Sequence, residues 1–96
     1  MSMSVGLLSL FLFLPGCTSL KEKRSRIKPI LSRLHKEFNI SVAEIDRLDA
    51  WHESVIGCAW VSNDRSVALS SLEKVVDFVE THFPGVDVFD EQYEVI

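Results

Sequence analysis

Apolar and polar residues alternate at the start of this chain and then change period, and that change divides it into elements. Leu8, Leu10, Leu12 and Leu14 fall on one face of an extended segment, with Ser9, Phe11 and Phe13 on the other. Pro15-Gly16 is a turn signal that ends the strand. Beyond it, Leu20, Ile27, Ile30, Leu31, Leu34 and Phe38 recur at helical spacing. The pattern predicts an amphipathic helix over residues 19–38, with Ser19 at the N-cap and Glu22 three residues on, the spacing of a capping box. Pro29 lies inside this helix and predicts a kink or loosening near residues 25–29, because proline removes a backbone donor.

Strand periodicity returns from Ile40 to Asp49, where Ser41, Ala43 and Ile45 alternate with Val42, Glu44 and Asp46. After a connection over residues 50–54, Val55 to Ser62 reads as a third strand. Its residues Val55, Gly57, Ala59 and Val61 make a small-residue face on which helices can pack closely, leaving Ile56, Cys58 and Trp60 opposite. Asn63 or Asp64 caps a second helix with an apolar stripe of Val67, Leu72, Val75, Val76, Val79 and Phe83. Pro84-Gly85 breaks it before a last strand from Val86 to Ile96. The order β-α-β-β-α-β predicts a single domain over residues 1–96, an α+β sandwich of the ferredoxin-like kind. In it a four-stranded antiparallel sheet carries two helices on one face. If the helices cover the leucine face, Phe11, Phe13, Ile56 and Trp60 lie on the other one, with Trp51 as an anchor in the connecting loop. Such a patch calls for a cover, and a two-fold pairing of sheets needs only one self-complementary surface, so a homodimer is expected.

Composition adds little to this and charge adds more. Ninety-six residues with 47% hydrophobic and 25% charged content suffice for one modest core without metal or disulfides. The net charge is −4, yet residues 17–37 hold seven cations against two glutamates, net +5, while the remainder carries −9. Lys21, Lys23, Arg24, Arg26 and Lys28, at the start of the first helix, are therefore the candidate RNA- or ribosome-binding residues. The plainer reading is a solvated polar face, and the alternative function is then a structural or protein-interaction module that uses the hydrophobic sheet face and binds no nucleic acid. No RNP motif or GxxG loop accompanies them.

Other chemistry is sparse, and neither a catalytic residue, a cofactor nor a metal is expected. Cys17 and Cys58 make no disulfide framework and no zinc spacing. Cys17, just before a helix start, is a reactive thiol or a small turn residue; Cys58 reads as packing. Glu44, Asp46 and Asp49, with Glu44 and Asp46 on one strand face, are a candidate carboxylate cluster for metal or acid–base work, but no His joins them at suitable spacing and they read as edge-strand charges or salt-bridge partners for the basic helix. His35, His52 and His82 are dispersed. No nucleophile stands with a base, so an enzyme is not expected.

The run Val5 to Leu14 followed by Leu14-Pro15-Gly16-Cys17 also has the outline of a lipoprotein signal. Met1-Ser2-Met3-Ser4 carries no cation, however, and a capped helix begins where a tether would be. Ten residues are too few to cross a bilayer. The expectation is a cytoplasmic protein with no membrane association; a lipid anchor at Cys17 is the alternative.

The blocks PGCTSLKEKR, FNISVAEID and IGCAWVSND, in this order and with Trp51 between the last two, resemble the YlxP-like family of small bacterial proteins, a domain of unknown function. The resemblance runs from about Val5 to Ile96. It implies a ferredoxin-like fold, a cytoplasmic location, dimers and LFLPGC as strand and turn. Members are often encoded near translation and ribosome-maturation genes, which implies a ribosome-linked role. The chain departs from the family pattern at Trp60, where a smaller aliphatic residue is usual, and at Pro29.

Overall fold

The computed structural model describes residues 2–96, leaving Met1 outside the described residues. The first alternating segment forms strand β1 (Ser4–Phe13), followed by helix α1 (Leu20–Glu37), strands β2 (Ser41–Asp46) and β3 (Glu53–Ser62), helix α2 (Arg65–His82) and strand β4 (Asp87–Val95). The sheet order is β2-β3-β1-β4 and every neighbouring pair is antiparallel. This is the ferredoxin-like α+β arrangement, with α1 packed towards β2 and α2 over β1, β3 and β4. The described residues include no helix long and apolar enough to cross a membrane.

Local chemistry accounts for the element ends. Gly16 has φ +69°, a left-handed value that glycine adopts freely, and the Cys17 N–H closes the turn on the Leu14 carbonyl. Ser19 caps α1 by accepting the Glu22 N–H at 3.0 Å. The Glu22 carboxylate reaches past the cap to the Thr18 N–H and hydroxyl, at 2.8 and 2.9 Å, so the reciprocal half of the box is made one residue early. Those donors hold its carboxyl below the usual range. Asp64, rather than Asn63, caps α2, accepting from the Ser66 and Val67 N–H groups. Helix α1 runs unbroken through Pro29. Pro29 and Ser25 are both exposed, so water can satisfy the carbonyl that the proline leaves without a donor.

Leu8, Leu10, Leu12 and Leu14 sit in the core beneath Ile27, Ile30, Leu34, Leu72, Val75 and Val79, as their period predicts. At the N-terminal end of β1, α2 comes so close that a Cβ on Gly6 would lie 2.9 Å from Leu72 Cδ1 and 3.2 Å from Ala68 Cβ. Val67, expected on the buried stripe of α2, is exposed, and Ala68 is buried in its place. Ala68 stands where α2 approaches Gly6 most closely, a place with room for a methyl group and none for a larger side chain.

Strand β3 is turned over relative to the sequence reading. Leu10 pairs with Ile56 and Leu8 with Cys58, so those β3 residues share the leucine face and point to the helices. Ile56 is fully buried, and Trp60 packs edge-on against Phe38 at the end of α1, 6.4 Å between centroids. The small residues Gly57 and Ala59 lie on the open face instead. Bulk belongs over the leucines, where it fills the space under the helices. On the other side, a Cβ on Gly57 would lie 2.9 Å from Ile45 Cγ2. Strand β2 is also shorter than expected, and its register shifts between Glu44 and Asp46. Glu44 therefore pairs with Ile56 on the helix side and Asp46 with Val55 on the open side; the two carboxylates do not share a face.

Candidate functional site

Two surfaces carry about half of the residues singled out by sequence: the outer flank of α1 and the open face of the sheet. The five cations expected on α1 separate into two groups. Lys23 is buried, on the same stripe as Ile27, Ile30 and Leu34. Its Nζ lies 2.9 Å from Glu44 Oε2 and donates to the Arg47 carbonyl at 2.6 Å, while the Ser54 hydroxyl donates to the same Glu44 oxygen at 2.6 Å. This network joins α1 to the β2–β3 hairpin. Arg47, whose carbonyl it uses, has φ 59° and pairs with Glu53 at 2.8 Å.

Arg26 is committed as well. One guanidinium nitrogen donates to the Pro15 carbonyl at 2.9 Å and the other to the Gly85 carbonyl, so it ties the turn after β1 to the turn before β4. Lys21, Arg24 and Lys28 remain exposed, and among the described residues none has a carboxylate within ion-pairing distance. They project from the outer flank one helical turn apart. Between that flank and β2 runs a groove of ≈ 340 Å³ lined by Arg24, Ser25, Ile27, Lys28, Leu31 and Glu44.

The open sheet face is apolar. Phe13, Ile45, Val61 and Phe89 are two-fifths to three-fifths exposed. Phe11 and Phe89 meet edge-on, 6.1 Å between centroids, across the β1–β4 register shift. A shallow groove of ≈ 310 Å³ crosses this face over Leu7, Ser9, Ala43, Ile45, Gly57 and Ala59. Phe11 and Phe13 are on it, as expected; Ile56 and Trp60 are not, for the pairing reason above. Trp51 is exposed in the loop between β2 and β3, outside both grooves, and its neighbour His52 lies against Phe13, 6.4 Å between ring centroids.

The family model described as "Protein of unknown function (DUF503)" matches residues 5–93, nearly the whole of this sheet and both helices. The chain belongs to the DUF503 family. It is 39% identical over 69 residues to "Uncharacterized protein YlxP" of Bacillus subtilis (strain 168), covering 72% of this chain and 74% of that protein. Among solved structures it resembles the de novo designed protein Foldit4, with a TM-score of 0.55 at 14% identity over 97% of this chain and 96% of the other. That likeness concerns the fold alone.

Within this DUF503 domain both cysteines are enclosed by the fold. Among the described residues no three His, Cys, Asp or Glu side chains come together to hold a metal. Cys17 is buried in the turn, with its Sγ 3.4 Å from the Ser19 carbonyl. Cys58 is buried in β3, and desolvation pushes its thiol up to about 12. The buried role of Lys23 was visible in the sequence: it precedes Ile27 by four residues and Leu34 by eleven, the spacing of the buried stripe. The acidic hollow formed by Glu73, Asp77 and Glu80 of α2 with Glu91 and Tyr93 of β4 lacks such a signal, because it joins residues of separate elements.

Proposed function

We propose that this DUF503 protein is a binding protein that works as a homodimer joined through its open sheet face. One observation supports the reading above others: Phe11, Phe13, Ile45, Val61 and Phe89 stand on a single face that neither helix covers. A patch of this kind is costly to leave in water, and a second copy supplies a matching surface by symmetry. Phe13→Glu and Phe89→Glu are expected to give folded monomers by light scattering and circular dichroism. A wild-type monomer at micromolar concentration would end the proposal and leave the face to a different protein. RNA or ribosome binding through the 21–28 segment of α1 draws less support, since of its five cations Lys23 and Arg26 are engaged by other parts of the fold and Lys21, Arg24 and Lys28 are left exposed.

The same reading keeps the protein in the cytoplasm with β1 attached. Intact mass from native cells checks this: a chain beginning at a lipidated Cys17 would have lost a central strand of the sheet.

A further inference from the structure

We infer that the groove between α1 and the free edge of β2 is a docking site for an extended acidic peptide segment, which adds to the sheet beside β2 as a fifth strand. Among the described residues strand β2 pairs with β3 alone, so its outer edge offers unpaired backbone donors and acceptors along residues 41–44, up to the register shift. The groove beside that edge has an aliphatic floor, Ile27 and Leu31, and two exposed cations on its rim, Arg24 and Lys28. The one carboxylate in the lining, Glu44, is already engaged by Lys23 and Ser54, so it leaves both rim cations without a partner.

The spacing matches a strand. Arg24 and Lys28 are four residues apart, a rise of about 6 Å along a helix. Residues i and i+2 of a strand are separated by about 6.7 Å and share a face. A segment with carboxylates at alternate positions and an aliphatic residue at the next such position can meet Arg24, Lys28 and Leu31 in turn. Its backbone meanwhile pairs with β2. Nothing in the groove suits a nucleobase, because no aromatic ring lines it and the free edge presents peptide groups. The inference is independent of the sheet-face dimer, which uses the opposite side of the sheet.

The probe is an end-blocked, fluorescein-labelled heptapeptide, Thr-Glu-Thr-Glu-Thr-Val-Thr, titrated into the full chain at low salt and followed by anisotropy. Binding is expected, weakened at least tenfold when both glutamates are glutamine or when the protein carries Arg24→Glu with Lys28→Glu. Hydrogen exchange should slow at the outward-facing amides, every second one along residues 41–44, the others being bonded to β3 already. A peptide N-methylated along the edge that faces β2 should not bind. The inference is overturned if the heptapeptide does not bind the wild-type chain, or if the N-methylated peptide binds equally well. It is also overturned if oligouridine binds the same cations more tightly and displaces the heptapeptide.

Discussion

The Nζ of Lys23 lies 2.9 Å from Glu44 Oε2, and the lysine is only 2% exposed against 18% for its partner. A cation that by charge alone belongs to a solvent-facing cluster is thus enclosed between a helix and a hairpin. Removing either partner strands the other, at a cost of about 3 kcal/mol or more. Lys23→Met and Glu44→Gln should each lower the urea midpoint by a corresponding amount with little change in slope. The double variant should be less destabilised than the sum of the singles, because no charge is left buried and the glutamine amide still accepts from Ser54. A purely additive double would show that the two groups are not coupled.

Two glycines face opposite sides of the sheet and should respond differently to a methyl group. Gly6→Ala is expected to cost about 1–3 kcal/mol, because Ala68 belongs to the backbone-proximal surface of α2 and the helix must move out. The atoms nearest to a Cβ on Gly57 belong to Ile45, which is more than half exposed and can rotate away, so the cost of Gly57→Ala should stay below about 1 kcal/mol. Chemical denaturation of both variants gives the comparison; equal losses would contradict the close packing of α2 on β1.

Alkaline pH should destabilise the fold. Desolvation raises Cys58 from 9.0 to about 12, and desolvation followed by the Glu91 carboxylate raises Tyr93 from 10.0 to about 12. The native state holds protons that the unfolded chain releases, so this contribution is fully present below about pH 9 and is lost as pH rises towards the folded values. In denaturation at several pH values, wild type should lose more stability between neutral pH and about pH 10 than Cys58→Ala does. With both thiols buried, a disulfide-exchange reagent should react with the native protein no faster than the chain opens.

Acid acts on the helix starts with the opposite sign. Hydrogen bonds from Ser66 hold Asp64 below its usual value, and those from Thr18 do the same for Glu22. The folded state favours both carboxylates ionised, so their stabilisation is present above the unfolded values and fades as pH falls through the folded ones. Asp64→Asn keeps a capping acceptor but should flatten the acid limb of the stability profile; an unchanged limb would remove Asp64 from this role.

The element order was legible because the apolar period changes from two to 3.6 at recognisable stops, and neither Pro29 nor the Pro15-Gly16 turn conceals it. Leu8 to Leu14 identified the core face of β1 for the same reason: one side is uniformly leucine. Strand β3 had no such asymmetry. Ile56, Cys58 and Trp60 are as compatible with a core as Val55, Gly57, Ala59 and Val61, and only the pairing of Leu10 with Ile56 selects the side. Tertiary packing likewise selected Lys23 and Arg26 from a run of like charges, since the segments that accept from them, at residues 44–47, 15 and 85, are remote in sequence. Local periodicity determines what each segment becomes. Which residues of a basic helix stay free to bind, and which sheet face stays open, depends on contacts between segments far apart in the chain, and those exist only once the sheet has formed.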